Sequence, residues 1–395
     1  MTINYTTGYA GTGKSTALLE LLDTLPTETS VVLAPTHKAL ARLRGATDTE
    51  IELKTIHSLL GWIPAINENA QHIDHIDTVI KLAKTPDAYT DIVIDEAGMM
   101  SEEMMVTIVS NLEELNDFET DHVTLHLFLD PYQLLPVKGI QIQTDPETTT
   151  NLTTQHRGES PDVVALFTKF VRYLEGSNLD DLTTPESTNV LHLDCIKAFK
   201  QGDRLLAYTN KCVGDYNQRI ALHLGINGYV GQYVQLGNKS DLYKVRRFLE
   251  PSTDELLKWH KEGVLMLQNA QINNRFLDQS MHALVSNPNI EFIEAEGRIV
   301  PVVLGIGNAY EVRNKAKEAA LKDKKKFKDV YALGRAFTMD YSFASTVHKS
   351  QGSEFDRVWI VKSDIQKSIF QGNYRNYARL MYVAISRAKQ RIFLI

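Results

Sequence analysis

Cysteine is nearly absent from this chain: two in 395 residues, Cys195 and Cys212, with no CxxC spacing and no clustered histidines. That argues against a disulfide-stapled domain and a thiolate zinc site, and it suits a reducing cytosol. No apolar run approaches the ~20 residues that a membrane-spanning helix requires. The N-terminus lacks the basic-then-apolar order of a secretory signal. Positive charge is not in excess either, since 42 Lys and Arg against 49 Asp and Glu leave a formal net charge of −7. A uniformly basic coat for nucleic acid is thereby excluded. A basic groove inside an acidic protein is not, because binding depends on where the charge sits. Internal repeats and low-complexity tracts are also missing. What remains is ordinary globular composition, in a chain long enough for two or more domains.

What is present begins at Gly8. The segment Gly8-Tyr9-Ala10-Gly11-Thr12-Gly13-Lys14-Ser15 matches G-x-x-x-x-G-K-[ST]. It follows a short stretch in which Ile3 and Tyr5 alternate with polar residues, and it precedes a helix-like run from Thr16 to Asp23. Strand, glycine loop and helix in that order form a phosphate cradle. The glycines let the backbone approach the phosphates, while loop amides and the helix N-terminus supply positive potential. Lys14 is placed for the β- and γ-phosphates and Ser15 for Mg²⁺. A glycine turn that merely precedes a helix is the bland alternative, and the register of Lys and Ser argues against it. A nucleoside triphosphate is the expected ligand.

Alternating strand-like and helix-like segments predict an α/β fold with a mostly parallel sheet. Val31–Ala34, Asp91–Glu96 and Val123–Asp130 read as strands, and Thr36–Arg44 as a helix. In such sheets ligand groups gather at the carboxyl ends of strands, where Gly8–Ser15, Asp95, Glu96 and Asp130 fall. Residues 62–66 and 72–76 read as a small inserted hairpin. A second α/β pattern starts near His156, with Arg204–Thr209 as a strand and Cys212–Leu222 as a helix. From about Gly225 to about Arg335 short β-like pieces predominate, followed by a charged helix over Ala309–Phe327. The run Lys322-Asp-Lys-Lys-Lys326 reads as a solvated face, because Glu311, Glu318, Asp323 and Asp329 intersperse the lysines.

Ile92-Val-Ile-Asp95-Glu96 is an apolar strand that ends in two carboxylates. Asp95 suits the Mg²⁺ shell, and Glu96 suits polarisation of an attacking water. At this point the chain resembles the superfamily 1B DNA helicases of the RecD/Dda type, most nearly the phage Dda helicases. The resemblance rests on motifs in family order: Gly8–Thr16, Ala34–Leu40, Thr55–Leu59, Asp95–Met99, Asp130–Val137, Leu152–Arg157, Ala207–Asn210, Ser345–Gly352 and Tyr382–Ala388. It implies two RecA-like P-loop domains in tandem, each with an insertion. Residues 1–60 and 92–155 would form the first domain, with a hairpin over 61–91. Residues 156–224 and 336–395 would form the second, with a β-rich, SH3-like insertion over 225–335.

The family roles then transfer by position. Gly8, Tyr9, Ala10, Gly11, Thr12, Gly13, Lys14, Ser15, Thr16 and Gly352 are implied to bind nucleotide, with Ser15 and Asp95 on the metal. Lys14, Glu96, Gln133, Arg157 and Arg387 are implied to be catalytic. Gln133 senses the γ-phosphate, and the two arginines reach in from the second domain as fingers, worth about 10³–10⁵ in rate in related NTPases. Thr36, His37, Thr55, His57, Thr346 and His348 are implied to contact single-stranded DNA, their hydroxyl and imidazole groups suiting backbone contacts without base choice. The cofactors implied are ATP and Mg²⁺. The partners are single-stranded and forked duplex DNA, with single-strand-binding or replication proteins besides, and the protein is expected to be monomeric. Implied location is the cytoplasm, that of a host if the chain is phage-encoded. Translocation is implied to run 5′→3′, with the hairpin as the wedge. A protein-displacing translocase or the motor of a nuclease complex is the alternative within the class. A P-loop kinase would share Gly8–Ser15 and Asp95 but has no need of Arg387. The family carries a helix and a glutamine before its first motif, and that glutamine reads adenine. Here only Met1–Thr7 precede Gly8, so adenine is read weakly, by other residues, or by residues upstream of Met1.

Overall fold

The computed structural model describes residues 1–59, 65–66, 72–73, 89–115, 123–135, 142–155, 161–176, 198–237, 242–268 and 277–395. The chain divides into two compact units, Met1–Glu186 with Asn373–Gln390, and Ser187–Gly372 with Arg391–Ile395.

The first unit is built on β1 (Thr2–Gly8), α1 (Lys14–Leu22), β2 (Ser30–Ala34), α2 (His37–Arg44), β3 (Glu52–Thr55) and α3 (Ile56–Leu59). Strands β4 (Ala65–Ile66) and β5 (His72–Ile73) then pair antiparallel. Next come β6 (Asp91–Ile94), α4 (Glu102–Leu115), β7 (Thr124–Leu129), β8 (Thr149–Leu152) and α5 (Pro161–Leu174). The strand order is β3-β2-β6-β7-β1-β8, and the pairs along it are parallel. Parallel strands need covering on both faces, and the sequence supplies this through a period of two. Val31, Leu33, Ile92, Ile94, Leu127 and Leu129 pack on one face with Met105 and Ile108 of α4. Val32, Val93 and Phe128, the residues between them, pack on the other with Leu18 and Leu22 of α1 and Leu43 of α2. The register aligns Ala34 with Thr55, Ile94 with Leu127 and Thr7 with Leu129, so these strands end along one edge. The predicted hairpin is thus present in its two short strands. Trp62, Ile63 and the tip at 67–71 lie outside the described residues.

The second unit contains β9 (Arg204–Ala207), α6 (Asn210–His223), β10 (Tyr233–Leu236), β11 (Leu242–Leu249), α7 (Thr253–Lys261), α8 (Leu277–Val285), β12 (Glu291–Ala295) and β13 (Arg298–Leu304). It continues with α9 (Ile306–Lys322), α10 (Phe327–Arg335), β14 (Phe337–Tyr341), β15 (Ala344–Thr346), β16 (Phe355–Ile360) and α11 (Lys362–Ile365). Strands β10 to β14 close into a barrel in sequence order, around Val234, Leu236, Val245, Ile293, Val300, Val302 and Met339. Closure removes the exposed edges that such short strands would otherwise present.

The last elements are α12 (Arg375–Ser386) and β17 (Ala388–Leu394), and the second sheet runs β15-β9-β16-β17. Its core is Trp359, fully buried and stacked on Phe393 at 4.1 Å. The Trp359 indole N–H donates to Asp203 at 2.8 Å, which also meets Arg357 at 3.1 Å. The two RecA-like domains expected from the sequence are therefore the fold of this chain, each with a β insertion.

One feature differs from the sequence reading. The charged helix expected over Ala309–Phe327 is two helices. Asp323 takes an extended backbone (φ −141°) and caps the amide of Lys325 at 3.0 Å, which ends α9 and lets a short 3₁₀ turn lead into α10. Helix α12 groups with the first unit. The reason is local packing: Tyr382 lies against Phe167 of α5 at 4.9 Å, and Tyr377 against Phe170 at 6.1 Å.

Candidate nucleotide site and nucleic-acid contacts

The P-loop leaves β1 at Gly8, where any side chain is excluded. A Cβ there would run into Thr12 Oγ1 and would lie 2.8 Å from the Leu152 carbonyl. Gly11 and Gly13 have φ of 87° and 91°, a left-handed geometry that glycine adopts at little cost and other residues rarely do. Gly13 is the N-cap of α1 without a side-chain cap, so the first amides of the helix face the loop's interior. Lys14 Nζ donates to the carbonyls of Gly8 at 2.6 Å and Tyr9 at 2.7 Å, and lies 3.8 Å from Asp130 Oδ2. Ser15 and Thr16 are exposed on the first turn of α1.

Asp95 and Glu96 follow β6, as expected. Asp95 is buried, and its Oδ1 accepts the Glu96 amide at 3.0 Å. Burial and the neighbouring Glu96 charge push its carboxyl above the usual range, with the Arg42 guanidinium pulling the other way. Glu96 sits in the left-handed region at φ 54°, a conformation that costs a non-glycine residue on the order of 1–3 kcal/mol and that collects at functional sites. Among the described residues no group of three His, Cys, Asp or Glu side chains could hold a metal. A Mg²⁺ ion needs no such cage, since one or two protein oxygens, substrate phosphates and water can complete its shell. The locus also stabilises positive charge, since Arg42 NH2 lies 3.0 Å from Asp95 Oδ2 and 3.9 Å from Glu96 Oε1. Asp95 and Ser15 are the residues that would hold the ion.

Asp130 is fully buried, and its hydrogen-bond partners favour the ionised carboxylate. Its Oδ1 accepts the Tyr132 amide at 3.0 Å, and its Oδ2 accepts the Tyr382 hydroxyl at 2.6 Å. Burial raises its carboxyl, while Lys14 and Tyr382 favour the ionised form. Tyr382 accepts in turn from the amide of Ala10 at 2.7 Å, so one hydroxyl joins α12, the P-loop and the turn after β7. Burial holds the Tyr382 phenol well above its ordinary pKa, which keeps the proton it donates.

Gln133 lies in that turn and is buried. Arg379 of α12 donates to the carbonyl of Pro131 at 2.9 Å and also to that of Gln133, and so pins the turn from behind. Tyr9 stacks on Tyr132 at 5.5 Å, and its hydroxyl bonds Glu175. Arg42, Glu175, Arg379 and Tyr382 were not singled out from sequence. Tyr382 lay inside a recognised motif, whereas nothing in the spacing of the other three marks them.

Arg387 follows α12 and is buried. Its Nε donates to the Val383 carbonyl at 3.1 Å and its NH2 to Ser386 Oγ at 2.8 Å. Arg157 lies outside the described residues. Gly352 falls in the second unit, in a turn with φ 72°.

The three threonines expected on DNA share one local geometry. Thr36, Thr55 and Thr346 each stand at the carboxyl end of a strand, and each Oγ1 accepts the amide three residues on, at 3.2, 3.1 and 3.3 Å. Each hydroxyl keeps its proton for a further acceptor. Thr55 and Thr346 are 7% exposed, whereas His348 is exposed and His57 partly so. Of the His37 side chain nothing is described.

Loop and fold together define the class: a P-loop NTPase with two RecA-like domains in tandem. Comparison with known families agrees. Residues 1–170 match an AAA domain family, and residues 341–395 match the UvrD-like helicase C-terminal domain. No curated protein sequence matches the chain. Solved structures do. Pif1 helicases in a study of DNA unwinding at forked dsDNA are 17% identical at a TM-score of 0.54, over 100% of this chain and 87% of theirs. A Bacteroides Pif1 helicase in complex with ADP-AlF3 and ssDNA is 17% identical at 0.51, over 100% and 88%. Pif1 helicase from Candida albicans is 18% identical at 0.53, over 100% and 91%. At these identities the likeness establishes a shared fold. Among the described residues no helix is long and apolar enough to cross a membrane.

Proposed function

We propose that this chain is an ATP-dependent DNA helicase of superfamily 1B, of the RecD/Dda type and most akin to phage Dda helicases. It would be a monomer acting with ATP and Mg²⁺ in the cytoplasm, in replication, recombination or repair. The observation that carries the reading is the convergence of Lys14, Asp95, Glu96 and Gln133 on one edge of the first sheet, around the buried Asp130.

In this reading Lys14 and the loop amides hold the phosphates, and Glu96 orients and polarises the attacking water. Gln133 senses the γ-phosphate. Bound Mg²⁺ would neutralise charge on the β- and γ-oxygens. Arg157 and Arg387 would serve as fingers, with Arg387 leaving its Val383 and Ser386 partners to do so. Thr36, His37, Thr55, His57, Thr346 and His348 would grip the strand through its phosphates, and movement would run 5′→3′. We keep the scheme of domains at 1–60 with 92–155 and at 156–224 with 336–395, with insertions over 61–91 and 225–335. The first insertion would be the wedge. ATP hydrolysis measured with and without single-stranded DNA, alongside unwinding of forks with 5′ or 3′ tails, tests this. Stimulation by the strand and dependence on a 5′ tail are expected. Hydrolysis indifferent to DNA would overturn the reading, and a 3′-tail requirement would overturn its polarity.

A further inference from the structure

The ion pair between Arg42 and the two carboxylates after β6 has no counterpart among the motif roles above. Arg42 NH2 lies on Asp95 Oδ2 at 3.0 Å, and the other oxygen, Oδ1, already accepts the Glu96 amide at 3.0 Å. The guanidinium therefore occupies Oδ2, the carboxylate oxygen that the Glu96 amide leaves open. A Mg²⁺ ion requires near-octahedral contacts of about 2.0–2.1 Å. Two cations cannot take the same lone pairs of one buried carboxylate, and at this separation they also repel each other.

We propose that Arg42 is an internal counter-cation that competes with Mg²⁺ for Asp95 and so restrains turnover when DNA is absent. Three observations shape this. The helix itself is anchored, with Ala39, Leu40 and Leu43 of α2 buried in the core, so the competing element is the long side chain and not the backbone. The Arg42 side chain is 31% exposed, against 7% for Asp95 and 12% for Glu96, so it approaches the pair from the solvent side and has somewhere to go. Finally, α2 starts beside Thr36, whose hydroxyl caps it. Thr36 and Arg42 are six residues apart, roughly 9 Å along the helix axis. A phosphodiester held near Thr36 and His37 offers the guanidinium a second anion, so DNA binding frees Asp95 for the metal. This last step rests on the DNA contacts proposed above; the competition itself does not.

The test is the sign of the metal dependence. Arg42→Gln and Arg42→Ala are titrated with Mg²⁺ while binding of a fluorescent ADP is followed, a readout that needs no turnover. Competition predicts that the Mg²⁺ concentration for half-maximal ADP binding falls several-fold, and that Arg42→Lys lies between wild type and Arg42→Gln. The DNA-free ATPase should rise and its stimulation by single-stranded DNA should shrink. If Arg42 instead orients Asp95 for the metal, the half-saturating Mg²⁺ rises, and the proposal is overturned. An unchanged value overturns it equally. Should the variants not fold, the intact protein is treated with phenylglyoxal, and modification of Arg42 is read by peptide mass. Mg²⁺ with ADP should raise that modification relative to ADP with chelator, while equal or lower labelling refutes the competition. A wild type whose ATPase ignores DNA, yet whose metal dependence shifts as predicted, refutes only the DNA reading.

Discussion

The hydroxyl of Tyr382 is a sharp point at which to probe the site. Tyr382→Phe removes one oxygen and leaves the ring, so contacts with Phe167 at 4.9 Å and Tyr132 at 6.2 Å persist. Two hydrogen bonds vanish: the one donated to Asp130 at 2.6 Å and the one accepted from the Ala10 amide at 2.7 Å. Both groups lose that partner where no water replaces it, since Asp130 and Tyr382 are 0% exposed and Ala10 is 7% exposed. A buried polar group left unsatisfied costs about 1–3 kcal/mol, and because Asp130 keeps the Tyr132 amide and Lys14 the loss for the pair is on the order of 2–4 kcal/mol. In a unit of about 200 residues each kcal/mol moves the midpoint by about 2–4 °C, so thermal unfolding should come roughly 5–15 °C earlier. Differential scanning calorimetry without nucleotide reads this directly. Nucleotide turnover should fall as well, because the P-loop amide is no longer joined to α12 and Arg379 alone is left to hold the turn bearing Gln133. A midpoint within about 2 °C of wild type would show that the hydroxyl is not bridging these elements in solution.

Glu96→Gln should leave ADP affinity within about twofold and lower the DNA-stimulated rate by roughly 10²–10⁴, the usual range for loss of a general base; Lys14→Ala should lose affinity as well as rate. Because Asp95 is raised above the usual carboxylate range, its folded form binds a proton up to a higher pH than the unfolded chain does. Its contribution to stability is therefore full at low pH and fades as pH rises from the unfolded value through the folded one. Metal binding runs the other way. Mg²⁺-dependent ADP affinity should weaken as pH falls through that raised value, and Asp95→Asn should flatten the profile. Replacing Ile66–Ala70 by a short glycine-serine turn should abolish fork unwinding while leaving strand-stimulated hydrolysis in place; joint loss of both activities would mean that the hairpin is structural.

Much of the first unit was legible because its signals are local. The glycines of the P-loop, the apolar run into Asp95 and Glu96, and the period-two sharing of Val31, Val32 and Leu33 between two faces each follow from neighbouring residues. The barrel was seen only in outline. Strand β11 alternates largely exposed residues and carries Lys244, Arg246 and Arg247, so it shows little of the apolar patterning that marks a buried strand. Helix α7 went unmarked although Ser252 and Glu255 form a capping box there, a signal the sequence does contain. The site's remaining residues were illegible for a different reason. Arg379 and Glu175 act on Gln133 and Tyr9 across sequence separations that only the packing of α5 and α12 closes.

The three threonines show how a fold can reuse one local solution, and they sharpen what to expect of the histidines. Each strand end must turn into a short helix whose first amides lack intrahelical partners. A threonine at that point satisfies one amide through Oγ1, at 3.2 Å for Thr36, 3.1 Å for Thr55 and 3.3 Å for Thr346. Substituting alanine at an N-cap costs about 0.5–2 kcal/mol, so loss of any of these hydroxyls damages local structure before it touches a ligand. Weak DNA binding by a threonine variant would thus be ambiguous. The histidine two residues after the threonine is different at His57 and His348, because the amides of Ser58 and Lys349 are accepted by the threonine hydroxyls. A defect in strand binding that appears in His348→Ala without any change in thermal midpoint would assign the contact to the imidazole. A defect confined to the threonine variants, and tracking their midpoints, would assign those residues to the scaffold alone.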